Sequence, residues 1–220
     1  NMYKAHEDLG TGYLRANKVD EAISEFQEAK RLHPDEIVPH INLGVLLDKK
    51  GDLKGAIAEE EEALRINPKS FDARINLGNF YLDANDLDNA KENFEKGLAL
   101  APNHPNALSG LGWVEYQKGF VKEGIKYQNQ SIKAYPLFPP AHTRLAILLA
   151  KQGDKKGAEL EFKKAVSFVP VDLTAGLEYG KFLEANGRKD EAKAIYKKLL
   201  EISKDYPAAR KALAELESTK

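Results

Sequence analysis

The side chains best suited to chemistry are few. In a chain of 220 residues they are five histidines and one run of four glutamates, Glu59, Glu60, Glu61 and Glu62, and there is no cysteine. Histidine can hold zinc or move protons near neutral pH. Zinc needs its nitrogen ligands at about 2.0–2.1 Å. His6, His40 and His142 are separated by 34 residues or a multiple of it, which places them in one register, His6 and His40 in successive units. Stacked helices lie about 8–10 Å apart, so these rings are expected to pack between helices rather than meet on an ion. His33 and His104 each lie beside a proline in the sequence and read as turn residues. Four consecutive carboxylates on a helix point around its axis, so the glutamate run reads as a solvated face, not a cation site. The absence of cysteine excludes disulfides, thiol catalysis and zinc–thiolate sites. No His-Glu-x-x-His, Gly-x-Ser-x-Gly or phosphate-loop pattern is present in the sequence. No catalytic residue, metal site or cofactor is therefore expected.

The spacing of the histidines belongs to a period that runs through the chain. Pro34, Pro68, Pro102, Pro136 and Pro170 are each 34 residues apart, with no insertion or deletion. Taken from 31 residues before each proline, the repeats are 3–36, 37–70, 71–104, 105–138, 139–172 and 173–206, and a last half-repeat begins at Pro207. A fixed period of this length marks a stacked-repeat architecture. The seventh slot holds Leu9, Leu43, Leu77, Leu111, Leu145 and Tyr179. The eighth holds Gly10, Gly44, Gly78, Gly112, Ala146 and Gly180. Glycine costs about 1 kcal/mol relative to alanine in a helix, so its return predicts a close approach between helices. The twentieth slot is small (Ala22, Ala56, Ala90, Gly124, Ala158, Ala192), and the twenty-fourth is mostly aromatic (Phe26, Glu60, Phe94, Gln128, Phe162, Tyr196). Glu60 is expected to loosen its repeat. The fifteenth slot holds Asn17, Gly51, Asn85, Gly119, Gly153 and Gly187, the types that tolerate a left-handed backbone at a helix end. Each repeat thus reads as a helix of about 14 residues, a tight turn, a second similar helix and a proline-marked turn. One such pair cannot bury its apolar face alone and must stack. Residues 207–218 read as a capping helix, with Ala209, Leu213 and Leu216 packing backwards.

The pattern resembles the tetratricopeptide repeat family over residues 3–216. That resemblance implies an all-α fold, a right-handed superhelical solenoid of six helix-turn-helix repeats plus the capping helix, in one domain over 3–220. It also implies a concave groove, lined by the first helix of each pair, that takes an extended peptide or a helix of a partner protein. The chain is then a scaffold and not an enzyme.

On each first helix, the fifth, sixth, ninth, twelfth and thirteenth residues are expected to face that groove. The expected peptide-binding residues are Ile41, Asn42, Val45, Ile75, Asn76, Asn79, Leu82, Gly110, Trp113, Tyr116, Arg144 and Ile147. Asn42 and Asn76 share a slot in adjacent repeats, and their amides suit the backbone of an extended ligand. Trp113 is the one tryptophan, Tyr116 shares its face, and Gly110 is expected to leave a hollow beside them. The family's two-carboxylate clamp is not supported, since its lysine slots hold Glu7, Ile41, Ile75 and Ser109.

Charge is divided along the chain. Residues 1–104 carry 13 Lys and Arg against 20 Asp and Glu, net −7; residues 105–220 carry 20 against 14, net +6. Head-to-tail association through the oppositely charged ends, giving a self-assembling structural repeat or a weak homo-oligomer, is the alternative to a binding scaffold. Without a basic stripe in the N-terminal half or an aromatic–basic motif, nucleic acid is not an expected partner. No apolar run approaches the length of a membrane span, and with no secretory pattern at the start a cytoplasmic location is the expectation. Asn1 ahead of Met2, and the lack of a cap before Tyr3, point to a trimmed start.

Overall fold

The computed structural model of the chain describes residues 2–168 and 171–218. Thirteen helices lie among them, and no strand. They are α1 (Met2–Arg15), α2 (Val19–Leu32), α3 (Ile37–Lys49), α4 (Leu53–Ile66), α5 (Phe71–Asp83), α6 (Leu87–Leu100), α7 (Pro105–Gln117), α8 (Val121–Ala134), α9 (Pro139–Lys151), α10 (Lys155–Ser167), α11 (Leu173–Ala185), α12 (Lys189–Ile202) and α13 (Pro207–Ser218). The helices fall where the 34-residue period puts them. Pro170, the fifth proline of the series, lies outside the described residues. By their internal contacts the helices form two compact halves, Asn1–Val114 and Glu115–Lys220.

The turns follow from the fifteenth slot. Asn17, Gly51, Asn85, Gly119, Gly153 and Gly187 all have φ between +57° and +92°. A residue in that region lets the next amide turn back onto the helix end. The amides of Lys18, Asp52, Asp86, Phe120, Asp154 and Arg188 duly donate to the carbonyls five residues earlier, at 2.8–3.0 Å. Asp52, Asp86 and Asp154 then cap the following helix through Gly55, Asn89 and Gly157, which satisfies amides that a helix start leaves without partners.

In the first half, α1 packs on α2, α3 on α4 and α5 on α6, and each pair stacks on the next. A β-carbon added to Gly10 would lie 3.1 Å from the Phe26 ring, and one added to Gly78 would lie 2.7 Å from Phe94. The rings fill the space that a side chain would take, and both are fully buried. Gly10 and Gly78 therefore have the close-contact role that the recurrence predicts. In the second half the same contact joins Gly180 to Tyr196. There α8 to α12 pack in order, and α13 closes on α12. Ala209 and Leu216 are buried and Leu213 half-buried against Tyr196 and Leu199, so the last helix covers an apolar face that would otherwise meet water.

These contacts separate two kinds of glycine. Gly78→Leu forces a side chain into the Phe94 ring and should cost about 1–3 kcal/mol. Gly12, on the exposed side of α1, has nothing within 4 Å of an added β-carbon, so Gly12→Ala should stabilise by about 0.8–1 kcal/mol. Urea unfolding of the two variants checks this; equal midpoints for Gly78→Leu and the parent would refute the close-contact account.

Candidate partner-binding face

The fourth slot shows what the histidines do. His6, His40 and His142 each place Nδ1 2.6–2.7 Å from a glutamate nineteen residues on, Glu25, Glu59 and Glu161 respectively. In the third repeat Arg74 takes the same position and donates to Asn93 at 3.1 Å. The pairs join the two helices of one hairpin. Several also reach backwards. Nε2 of His142 lies 2.9 Å from the Pro136 carbonyl, and Arg74 and Arg210 donate to the carbonyls of Pro68 and Lys204. Arg74 and His142 thus clasp their hairpins, and Arg210 the last helix, to the turn before. Among the described residues no group of three His, Cys, Asp or Glu could hold a metal ion.

The glutamate run is not a solvated face, contrary to the expectation. Glu61 is exposed and Glu62 pairs with Arg65, but Glu59 is bound by His40 and Lys30, and Glu60 is fully buried. Burial alone would raise the Glu59 carboxyl, yet the bonds from His40 and Lys30 hold it below the usual range. Glu60 stands where four of the other hairpins carry an aromatic ring, Phe26, Phe94, Phe162 or Tyr196. Its Oε1 lies 2.9 Å from where a β-carbon on Gly44 would be, and accepts a 2.8 Å hydrogen bond from Asn76 Nδ2. Its Oε2 meets no hydrogen-bond partner among the described residues. Burial pushes this carboxyl up to about 8, against the opposing hydrogen bond from Asn76 and with the help of the Asp72 and Glu59 charges. A neutral carboxylic acid is the form that such a site tolerates.

The expected groove residues divide along the same lines. The fifth slot is a packing position. Ile75 is 6% exposed and fills the space over Gly97 of α6, while Ile41 packs half-buried on Ala63, Leu64, Ala73 and Leu77. Leu82 is also buried. The sixth slot faces the twenty-fourth slot of the repeat before it. That is how Asn76 finds Glu60, and it corrects the reading of Gly110. A β-carbon on Gly110 would lie 2.5 Å from the Phe94 ring, so the expected hollow is occupied and the glycine has a packing role. Phe94 is thus wedged between Gly78 and Gly110. Asn42 is half-buried and turns Nδ2 to its own helix, at the Val38 carbonyl. The ninth slot behaves differently. Val45 is 39% exposed, and Asn79 and Trp113 are half-buried. In the second half Tyr116 and Arg144 are half-buried, as is Ile147 beside the apolar core. The Glu60–Asn76 pair was missed in sequence, although a polar residue in an aromatic slot, with an amide sixteen residues on, was the available signal.

These hairpins, repeated at 34 residues with glycine-to-ring contacts, define a helical-repeat protein. The tetratricopeptide repeat family matches at residues 49–92, 75–139 and 173–216, well over half of the chain together. The chain belongs to that family. No curated protein sequence matches it significantly. Among solved structures, it is similar to a tetratricopeptide repeat protein of Parabacteroides merdae (21% identity, TM-score 0.86, 98% of this chain and 84% of that one). It is also similar to a thermophilic one of Thermus thermophilus (23%, 0.76, 82% and 98%). A third is YrrB, described as having an unusual peptide-binding site (22%, 0.52, 85% and 96%). At these identities the likeness is one of fold. No helix among the described residues is long and apolar enough to cross a membrane.

The buried carboxyl carries a prediction. With an ordinary value near 4.5 in the unfolded chain and about 8 in the folded one, Glu60 takes up a proton on folding between those limits. Its contribution to stability therefore falls as pH rises through that window, by at most about 1.4 kcal/mol per pH unit, and levels off above it. Glu60→Gln keeps the shape without the titration. The stability of Glu60→Gln relative to the parent should grow between about pH 5 and pH 8 in urea unfolding; a difference that does not change with pH would contradict the assignment.

Proposed function

We propose that the chain is a non-enzymatic scaffold that binds an extended segment or a helix of a partner protein on the faces of its first helices. The observation that carries this reading is the ninth slot. On α3, α5 and α7 packing engages the fourth, fifth, seventh and eighth slots, but Val45, Asn79 and Trp113, at 34-residue intervals, keep part of their surface in solvent. An aliphatic, an amide and an aromatic group at one register suit a partly apolar segment whose backbone needs polar partners. In the second half Tyr116, Arg144 and Ile147 belong to the same proposed set. The peptide-binding site described for YrrB supports the reading by analogy. A domain running through 3–220 remains part of the proposal.

The test replaces Val45 and Asn79, because Asn76 also supports Glu60. Val45→Glu with Asn79→Ala should keep the helical circular dichroism and the thermal midpoint within a few degrees of the parent. It should lose most of the proteins that the parent captures from native extract, measured by quantitative mass spectrometry. Equal capture by the folded variant would remove these residues from the binding face, and background capture by the parent would remove the scaffold reading itself. The charge division favours a second reading, self-assembly through the ends. Light scattering should then show oligomers at low salt that dissociate as salt is raised; a monomer throughout would discard it.

A further inference from the structure

In the half Glu115–Lys220, a cleft of about 460 Å³ opens between α9, α10 and α11. Its size lies in the range of clefts that hold small ligands or single anchor side chains. The floor is apolar: Ile147 and Ala150 of α9 lie over the buried Phe182 of α11. The rim is cationic. Lys151 ends α9, Lys155 begins α10 and Lys181 stands on α11, all three exposed. One carboxylate, Glu178, lies among the lining residues, and Lys181 donates to it at 2.6 Å. Three ammonium groups thus meet one carboxylate around an apolar floor.

The placement of Lys155 is informative. It occupies the first turn of α10, where the helix dipole is positive and a cation is disfavoured. No acidic residue occupies that turn. The dipole does not favour Lys155 at that end, which Asp154 caps, whereas Lys151, in the last turn of α9, is favoured by its own dipole. Lysine is a mobile point charge and lacks the planar fork of arginine. Such a rim suits several carboxylates spread along a flexible segment better than one fixed bidentate contact. The half itself carries 20 basic and 14 acidic residues, net +6, so its field draws negative segments towards the cleft.

We infer that this cleft docks an acidic segment of a partner protein, with one large apolar side chain seated on Ile147, Ala150 and Phe182 and its flanking carboxylates on Lys151, Lys155 and Lys181. The inference rests on the scaffold reading above and names the chemistry of the partner in this half. The apolar anchor supplies the contact that survives salt, and the lysines supply the attraction that salt screens.

The probe is a fluorescent synthetic dodecapeptide of aspartate and glutamate around one phenylalanine, titrated with the full chain and read by anisotropy. The parent should bind it, more weakly as salt rises. Lys151→Glu with Lys155→Glu should weaken binding at least about tenfold, and so should Ala185→Trp, which fills the cleft without changing charge. The peptide with alanine for phenylalanine should also bind at least about tenfold more weakly. No binding by the parent, unchanged binding by the lysine variant, or equal binding of the alanine peptide each overturns the inference. Concentration-dependent dimers that vanish in the lysine variant, without peptide binding, would assign the cleft to the acidic half of a second copy and overturn it likewise. If the peptide fails while Val45→Glu with Asn79→Ala still abolishes partner capture, the cleft falls and the scaffold stands.

Discussion

The structure depends on one contact, a large side chain in the twenty-fourth slot pressed against a glycine sixteen residues earlier. Phe26 against Gly10, Phe94 against Gly78 and Tyr196 against Gly180 are three instances of it. The ring takes the volume that a side chain on the opposite helix would need, so the two backbones of a hairpin come close and a flat aromatic surface is buried whole. This offsets the cost of putting glycine in a helix. It also fixes the hairpin in register, because the ring has no room to slide along a helix that offers one gap. Phe94 extends the principle to the following repeat, where Gly110 opens a second gap for the same ring.

Around that apolar contact lies a polar one. The fourth-slot residue holds the glutamate or asparagine nineteen residues on, and in several repeats it also holds the carbonyl of the preceding turn. The first, third and fifth hairpins are thus closed on one side by the ring of Phe26, Phe94 or Phe162 and on the other by a hydrogen-bonded pair, and in the third and fifth the second device also reaches the preceding turn. Glu60 shows the tolerance of the first device. A carboxyl can occupy the aromatic position when a neighbour supplies an amide, as Asn76 does, and when the group sheds its charge.

The 34-residue period shows which residues are equivalent, and equivalence was enough for the helices, the left-handed turns and the closing helix. It does not show what an equivalent residue meets. The fifth and sixth slots lie beside each other on the helix, but the fifth turns to its own hairpin and the sixth to the hairpin before it. That distinction depends on how neighbouring helices cross, which no spacing within one repeat contains. Ile75 and Gly110 were therefore read as open to a partner although both are consumed in packing. Asn76 was read as a free amide because its partner, Glu60, lies in the previous repeat, inside a glutamate run that looked solvated. Ninth-slot residues keep part of their surface in solvent, as Val45, Asn79 and Trp113 do, although Ile147 at the same slot also packs on the core of its half.

The fixed separations of sixteen and nineteen residues bear on how such a chain can change over generations. Any 34-residue stretch, wherever it is cut, contains one complete set of positions. Duplicating it restores every ring to a gap and every fourth-slot residue to its acceptor. Loss of a single residue between the eighth and twenty-third slots does the opposite, since it shifts both separations at once and leaves a ring without space and a carboxylate without its donor. Unequal exchange between copies is tolerated in whole periods and penalised in fractions. The unbroken spacing of Pro34, Pro68, Pro102 and Pro136 is what that arithmetic leaves behind.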